Sequence, residues 1–380
     1  MEQKSISILG STGSIGTSTI DLISQNPEQF KIRVLTAGRN LNLLIEQAKK
    51  FAPEFIAIAD ETLYQQLKDA LSTTSIKIAA GRSAILEAAS IPTDICMAAI
   101  VGIAGLEPVL TAIPHTKSLA IANKEPLVAA GKLVLDLAKQ HGTNILPVDS
   151  EHNAIFQVFE NHNRTQIKKI ILTASGGPFR TWTKEQIAMA TPEQAVNHPN
   201  WIMGRKISVD SASMMNKALE IIEAHYLFDI PANQIDVLIH PQSIIHSMVE
   251  YTDGSVLAQL GAPDMRTPIA YALAYPDRMT TTGKTLDWTT LSKLEFQQPD
   301  FNQFPSLGLA YDCLKSGQSA CIALNAANEI AVEKFLNKEI SFGQIIPILE
   351  KSIPHAQGRT VSSLEDIIAL NQEIRIRSHL

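Results

Sequence analysis

The sequence predicts an α/β fold: a parallel sheet at the N-terminus, a central α+β domain and a C-terminal helical bundle. Three observations carry this. Short apolar runs alternate with longer helical segments through the first 150 residues, the rhythm of a parallel α/β sheet. From about residue 151 that rhythm gives way to a few strands around a long polar stretch and one strongly apolar helix. After Pro305 the periodicity is helical almost to the end. At roughly 100–200 residues per domain, a length of 380 residues suits two or three such bodies.

In order, the first-domain strands are expected at Ser5–Leu9, Ile32–Thr36, Phe55–Ala59, Ile76–Ala79, Ile95–Val101, Leu119–Ala122 and Asn144–Val148. Most are continuous apolar runs, as strands covered on both faces require. The second domain contributes Lys169–Ala174, Val237–Ile239, Ile245–Tyr251 and Ser255–Gln259. The last two flank Thr252-Asp253-Gly254 and read as a hairpin. Residues 276–305, with Pro276, Pro299 and Pro305, read as a surface linker. Helices follow at Leu307–Leu314, Ala320–Leu336, Phe342–Ser352 and Ser363–Arg375. The expected boundaries are therefore 1–150, 151–275, 276–305 and 306–380.

Composition narrows the function. With 45% hydrophobic and 18% charged residues the chain is neither disordered nor of low complexity. The longest uncharged apolar run, Ile95–Leu106, has 12 residues against about 20 for a bilayer span, so no membrane partner is expected. Net charge is −6 without a basic block, which argues against a nucleic-acid partner. Met1–Lys4 leads into a strand-like run rather than a secretory leader, and three scattered cysteines form no disulfide framework. A reducing cytoplasm is the expected location.

Gly10-Ser-Thr-Gly13-Ser-Ile-Gly16 follows the first strand and opens a helix. Glycines there let the backbone turn tightly and approach a pyrophosphate at the helix N-terminus, which makes the first domain Rossmann-like. After the second strand an NAD site offers an acid to the ribose 2′-hydroxyl. Here Gly38-Arg39-Asn40 stands instead, and a guanidinium favours the 2′-phosphate of NADP.

Asp149-Ser150-Glu151-His152 lies at the carboxyl edge of the last strand. In an extended segment Asp149 and Glu151 point the same way, which suits either a hard divalent cation or a solvated acidic loop. A helix beginning near Ser211 is apolar around most of its circumference. Ser213, Asn216, Lys217 and Glu220 form its single polar stripe. That stripe is either a structural Lys217–Glu220 pair or a site wall, with Glu220 as third metal ligand and Asn216 and Lys217 holding an anion. Ser211, read as that helix's N-terminus, and the turn Ala174-Ser175-Gly176-Gly177 add places for a phosphate. His198 reads as a charge-assisted partner or a surface histidine. Residues 176–206 are too long for an ordinary connection and, with Trp201, read as a lid. Lys124, after the sixth strand, either orients a substrate oxygen or lies at the surface.

Together these motifs resemble the 1-deoxy-D-xylulose 5-phosphate reductoisomerases along the whole chain. The likeness rests on Gly10–Gly16, Ala122–Glu125, Asp149–Asn153, Ser175–Pro178, His198–Trp201, Met203–Lys206, Asp210–Glu220 and Asn325–Glu329. It implies NADPH- and metal-dependent rearrangement and reduction of 1-deoxy-D-xylulose 5-phosphate to 2-C-methyl-D-erythritol 4-phosphate, a step of isoprenoid precursor synthesis. It implies Asp149, Glu151 and Glu220 as ligands of Mg²⁺ or Mn²⁺, with Co²⁺ also compatible. Lys124, Ser150 and Glu151, beside Glu220, would face the substrate's oxygenated carbons. Ser175, His198, Ser211, Asn216 and Lys217 would hold its phosphate. Thr12, Gly13, Ser14, Ile15, Gly38, Arg39, Asn40, Asn123, Glu125 and Gly204 would line the NADPH site, and Trp201 and Met203 the lid. A homodimer is typical of the family. Ala174 and Arg39 stand where some members carry Gly and Lys, and neither change removes a functional group. The rival readings are another NADP-dependent sugar-phosphate or semialdehyde dehydrogenase, and a catalytically silent NADP sensor. A semialdehyde dehydrogenase needs a nucleophilic thiol, which Cys96, Cys313 and Cys321 are poorly placed to supply.

Overall fold

A computed structural model describes residues 3–201 and 203–379. Seven strands form the first sheet: β1 Lys4–Leu9, β2 Phe30–Ala37, β3 Phe55–Ile58, β4 Lys77–Ala80, β5 Thr93–Ala98, β6 Thr116–Ile121 and β7 Asn144–Pro147. Every pairing is parallel and the order is β4-β3-β2-β1-β5-β6-β7. Each expected strand is present within a few residues. The order reverses between β1 and β5, the switch point outside which α/β sheets bind ligands.

The second sheet has four strands: β8 Ile167–Ala174, β9 Ile235–Ile239, β10 Ile245–Tyr251 and β11 Val256–Leu260, in the order β11-β10-β8-β9. β10 and β11 form the expected antiparallel hairpin, with Val249 opposite Leu257. Against β8 and β9 packs the helix Met215–Phe228, with Ser306–Ser316 on it in turn. The C-terminal helices Ser306–Ser316, Gln318–Leu336, Ile345–Ser352 and Leu364–His379 lie where periodicity placed them.

The chain forms two compact units whose boundaries differ from the expected ones. The first holds Met1–Pro126, Val134–Ser150 and Met265–Gly283; the second holds Leu127–Leu133, Glu151–Asp264 and Lys284–Leu380. The helix Arg266–Ala274 thus belongs to the first unit, and long-range charges account for it. Arg266 Nε meets Asp21 at 2.9 Å. Lys4 Nζ donates to the carbonyls of Leu273, Ala274 and Tyr275 at 3.4, 3.2 and 3.3 Å, a cation closing the helix's negative end. The C-terminal helices count with the second unit rather than standing alone.

Three local expectations are corrected. Asp149 and Glu151 do not share an extended segment, because a helix runs from Ser150 to Val158 and Glu151 lies in its first turn. Ser211 is not at a helix N-terminus. It is the penultimate residue of the helix Arg205–Ala212, and a second helix starts at Met215. Between them Met214 adopts φ 58°, a left-handed conformation costing a β-carbon-bearing residue about 1–3 kcal/mol. Ser306 Oγ donates to the Ser213 carbonyl at 2.7 Å across this break. Finally, residues 176–206 are not one open lid. They contain the helices Lys184–Ala188 and Pro192–Ala195, each opened by a capping box, while Phe179 and Ala195 are fully buried.

Candidate active site

In the first unit the glycine turn is built by close approach. Gly10 has φ +89°, and a β-carbon there would lie 2.7 Å from the Ala99 carbonyl oxygen at the end of β5. A β-carbon on Gly16 would overlap the Gly10 carbonyl. Gly13 caps the helix Ser14–Gln25, placing Ser14 and Ile15 in its first turn, with Thr12 just ahead. Gly10 N donates to Thr36 Oγ1 at 2.9 Å and Ser11 N to the Thr36 carbonyl at 2.7 Å, tying the turn to the end of β2. Beyond that end, Gly38 has open space where a side chain would be. Arg39 is 88% exposed and 3.3 Å from Asp60. Asn40 spends its side chain capping the next helix, accepting from Leu43 N at 3.3 Å.

Asn123, Lys124 and Glu125 are all buried after β6, so Lys124 is no surface lysine. Its ammonium lies 2.5 Å from Asp149 Oδ2, just beyond β7. Asn123 packs against Gly105 and donates to the Gly102 carbonyl at 3.4 Å.

In the second unit the polar stripe is a buried charge network. Lys217, 3% exposed, donates to Glu151 Oε1 at 2.7 Å and to Glu220 Oε2. Glu220 is fully buried and also accepts from Asn216 Nδ2 at 2.5 Å. Burial alone would lower the Lys217 pKa, but the charges of Glu151 and Glu220 and its hydrogen bonds to both raise it, so the ammonium stays protonated. Asn216 and Lys217 occupy the first turn of the Met215–Phe228 helix, so the dipole argument made for Ser211 passes to them. Ser211 is still near the expected phosphate turn: a β-carbon on Gly177, at φ +66°, would sit 2.5 Å from the Ser211 carbonyl oxygen.

His198 and Ser175 are joined, and His198 is not the expected cation. Its Nδ1 accepts the backbone N–H groups of Asn200 and Trp201 at 3.2 and 3.0 Å. The neutral ring therefore carries its proton on Nε2 and donates to Ser175 Oγ at 2.9 Å. Burial pulls its pKa down from 6.5 to about 4, with the Glu151 charge opposing. Ser175 Oγ also accepts from Gly177 N at 3.1 Å, which directs its own O–H outward. Trp201 and Met203 are half-buried and Gly204 is exposed beside them.

Sequence reasoning missed the residues that brace this network. His152, fully buried, donates from Nε2 to the Glu220 carbonyl at 3.0 Å, and its Nδ1 lies 3.3 Å from Glu223. A second carboxylate one turn beyond Glu220 on so apolar a helix was the available signal. Asn200 ties the segment before Trp201 to the Pro241 carbonyl at 2.7 Å and to Ser243 Oγ at 3.0 Å.

Comparison with known proteins agrees. Residues 6–131 match the family described as 1-deoxy-D-xylulose 5-phosphate reductoisomerase. Residues 145–228 match that enzyme's C-terminal domain, and residues 260–377 match a further DXP reductoisomerase C-terminal domain. The chain is 52% identical over 377 residues to the 1-deoxy-D-xylulose 5-phosphate reductoisomerase of Zymomonas mobilis, covering 99% of this chain and 97% of that protein. It is 54% identical over 375 residues to that of Rhodospirillum centenum, covering 98% and 92%. The solved Zymomonas mobilis enzyme in complex with NADPH superposes with a TM-score of 0.93 at 51% identity, covering 99% of this chain and 98% of that one. A DOX-P reductoisomerase in complex with NADPH, fosmidomycin and magnesium gives 0.93 at 44%, covering 99% and 97%. Fold and similarity thus agree on the class, an NADP-dependent oxidoreductase and isomerase. Within it, the chain belongs to the 1-deoxy-D-xylulose 5-phosphate reductoisomerase family.

The depressed pKa of His198 has a testable consequence. An unfolded chain takes up the proton near pH 6.5 and the folded one only near 4. The stability from the neutral ring is therefore complete above pH 6.5 and is lost as pH falls toward 4. Ring ¹⁵N NMR of His198 is expected to show a neutral Nε2–H tautomer at pH 6, titrating near pH 4. A midpoint near 6.5 would refute it.

Proposed function

We infer that the chain catalyses its family's reaction: NADPH- and divalent-metal-dependent conversion of 1-deoxy-D-xylulose 5-phosphate to 2-C-methyl-D-erythritol 4-phosphate, in isoprenoid precursor synthesis. The single observation that carries this is the buried Glu151–Lys217–Glu220 network. A structural lysine–glutamate pair needs no second carboxylate aimed at the same ammonium, nor an amide on Glu220 as well.

The donor chemistry fits the expected groups. Glu151 and Glu220 offer hard, ionised oxygens already gathered around one cation, as Mg²⁺ or Mn²⁺ requires, and Co²⁺ accepts similar donors. Asp149 lies two residues before Glu151 and completes the proposed ligand set. The glycine turn fits a pyrophosphate, because its backbone lies where any side chain would clash. When bound, the metal supplies Lewis acidity to the substrate's carbonyl and hydroxyl oxygens, and NADPH supplies the hydride.

The chain's own residues then bind and orient. Thr12, Gly13, Ser14 and Ile15 receive the pyrophosphate, and Gly38, Arg39 and Asn40 the adenosine end. Asn123, Glu125 and Gly204 complete the cofactor contacts. Lys124, held by Asp149, takes a substrate oxygen, as do Ser150 and Glu151. Ser175 donates its O–H to the phosphate, joined by Ser211, Asn216 and Lys217. Neutral His198 orients Ser175 and the Trp201 backbone together. Trp201 and Met203 close over the substrate and exclude water.

We also propose a homodimer in the cytoplasm. β11 supports the first: it is an edge strand that leaves Val256 and Leu257 exposed. Three buried, unbridged cysteines support the second. No helix among the described residues is long and apolar enough to cross a membrane. A thiol-dependent semialdehyde dehydrogenase is disfavoured, since burial pushes the Cys96 and Cys313 thiols up to about 12 and holds that of Cys321 well above its ordinary value.

The direct test is loss of NADPH absorbance with 1-deoxy-D-xylulose 5-phosphate and Mg²⁺, with and without EDTA. Oxidation that stops on chelation is expected. Oxidation indifferent to EDTA would overturn the metal site, and none from a folded, NADPH-binding protein would favour a silent sensor. Arg39→Asp is expected to weaken NADPH at least about tenfold while leaving NADH nearly unchanged. Equal losses would show that Arg39 does not read the 2′-phosphate.

A further inference from the structure

We propose that Asn328 is a positioning residue for the phosphate-binding end of the site, acting through Asp210 and Lys206. This rests on the assignment of Ser175, Ser211 and the lid segment made above.

Asn328 lies on Gln318–Leu336, where every residue from Ser319 to Asn328 is buried, almost all of them small or apolar. A buried amide in such a helix opposes folding unless all its polar atoms are bonded. Asn328 Oδ1 meets no donor among the described residues, so the side chain is a poor choice for stability. What it supplies is a donor. Its Nδ2 gives a 2.8 Å hydrogen bond to Asp210 Oδ1, 118 residues away in sequence.

Asp210 is 1% exposed, and its other oxygen takes the Lys206 ammonium at 2.9 Å. The carboxylate is therefore gripped from two directions, by the helix Gln318–Leu336 and by the first turn of its own helix. That helix, Arg205–Ala212, has eight residues, too few to hold itself in place. Its orientation comes from contacts like these. Lys206 follows directly on the lid segment bearing Trp201 and Met203, and Ser211 adjoins Asp210. The Ser211 carbonyl oxygen would lie only 2.5 Å from a Gly177 β-carbon, so a small rotation of the helix disturbs the phosphate turn and the lid junction together. The motif Asn325-Ala-Ala-Asn-Glu329 thereby gains a reason that packing does not give it.

The test uses the full-length enzyme, with Asn328→Ala and Lys206→Met made singly and together. Each single variant is expected to raise KM for 1-deoxy-D-xylulose 5-phosphate about tenfold, with kcat changed less and NADPH affinity within about twofold. The double variant is expected to be little worse than the more affected single one, because both act through Asp210. Trypsin is expected to cut after Arg205 faster in Asn328→Ala than in the wild type. An unchanged KM in folded Asn328→Ala overturns the proposal. So does parallel loss of kcat, NADPH binding and melting temperature, the mark of a merely structural residue. If Asn328→Ala does not fold, the half-buried Lys206→Met carries the same KM test. If the wild type does not turn the substrate over, the functional assignment fails instead, and the cleavage rate after Arg205 still decides whether Asn328 holds the lid junction.

Discussion

One ammonium organises the second unit. Lys217 sits almost wholly out of water between Glu151 and Glu220. Removing one partner from a buried pair of this kind costs about 3–5 kcal/mol, because the remaining charge is stranded. The helix carrying Lys217 and Glu220 therefore cannot be placed at a surface. It needs apolar cover on nearly all sides, which β8 and β9 provide from one direction and Ser306–Ser316 from another. The C-terminal helices are in this sense part of the site. They help bury the charges and, through Ser306, satisfy the Ser213 carbonyl where the chain breaks before Met215.

The same kind of pairing recurs at three carboxylates. Each is matched to a lysine: Asp149 to Lys124 in the first unit, Glu151 and Glu220 to Lys217 in the second. Oxygens held this way are oriented and charged before any ligand arrives, which is the condition for electrostatic preorganisation. The proposed phosphate end follows a different rule. There a neutral histidine fixes the Ser175 hydroxyl and the turn at Trp201 through ordinary hydrogen bonds, and Lys217 is the cation proposed for the phosphate.

The parts legible in the sequence were those with local causes. The parallel sheet showed in apolar runs, the hairpin in Thr252-Asp253-Gly254, and the dinucleotide turn in three glycines following a strand. Glu220 and Lys217 were legible because a polar stripe on an apolar helix is hard to explain otherwise. The parts that were not legible have non-local causes. Nothing in the periodicity marks the break at Met214, since Met is an unlikely left-handed residue and the break is stabilised by Ser306, distant in sequence. The charge of His198 depends on burial and on two N–H groups from the lid. Arg266–Ala274 joins the first unit through Lys4 and Asp21, at the far end of the chain. His152 and Glu223 were legible in principle, as a histidine and an acid flanking the assigned motifs, but only their burial shows that they meet.

Mn²⁺ binding followed by electron paramagnetic resonance, without substrate or NADPH, decides whether these carboxylates form a divalent-cation site. One site is expected in the wild type, weakened at least about tenfold in Glu151→Gln and in Glu220→Gln, with NADPH affinity preserved in both. Undiminished Mn²⁺ binding by folded Glu220→Gln would contradict it.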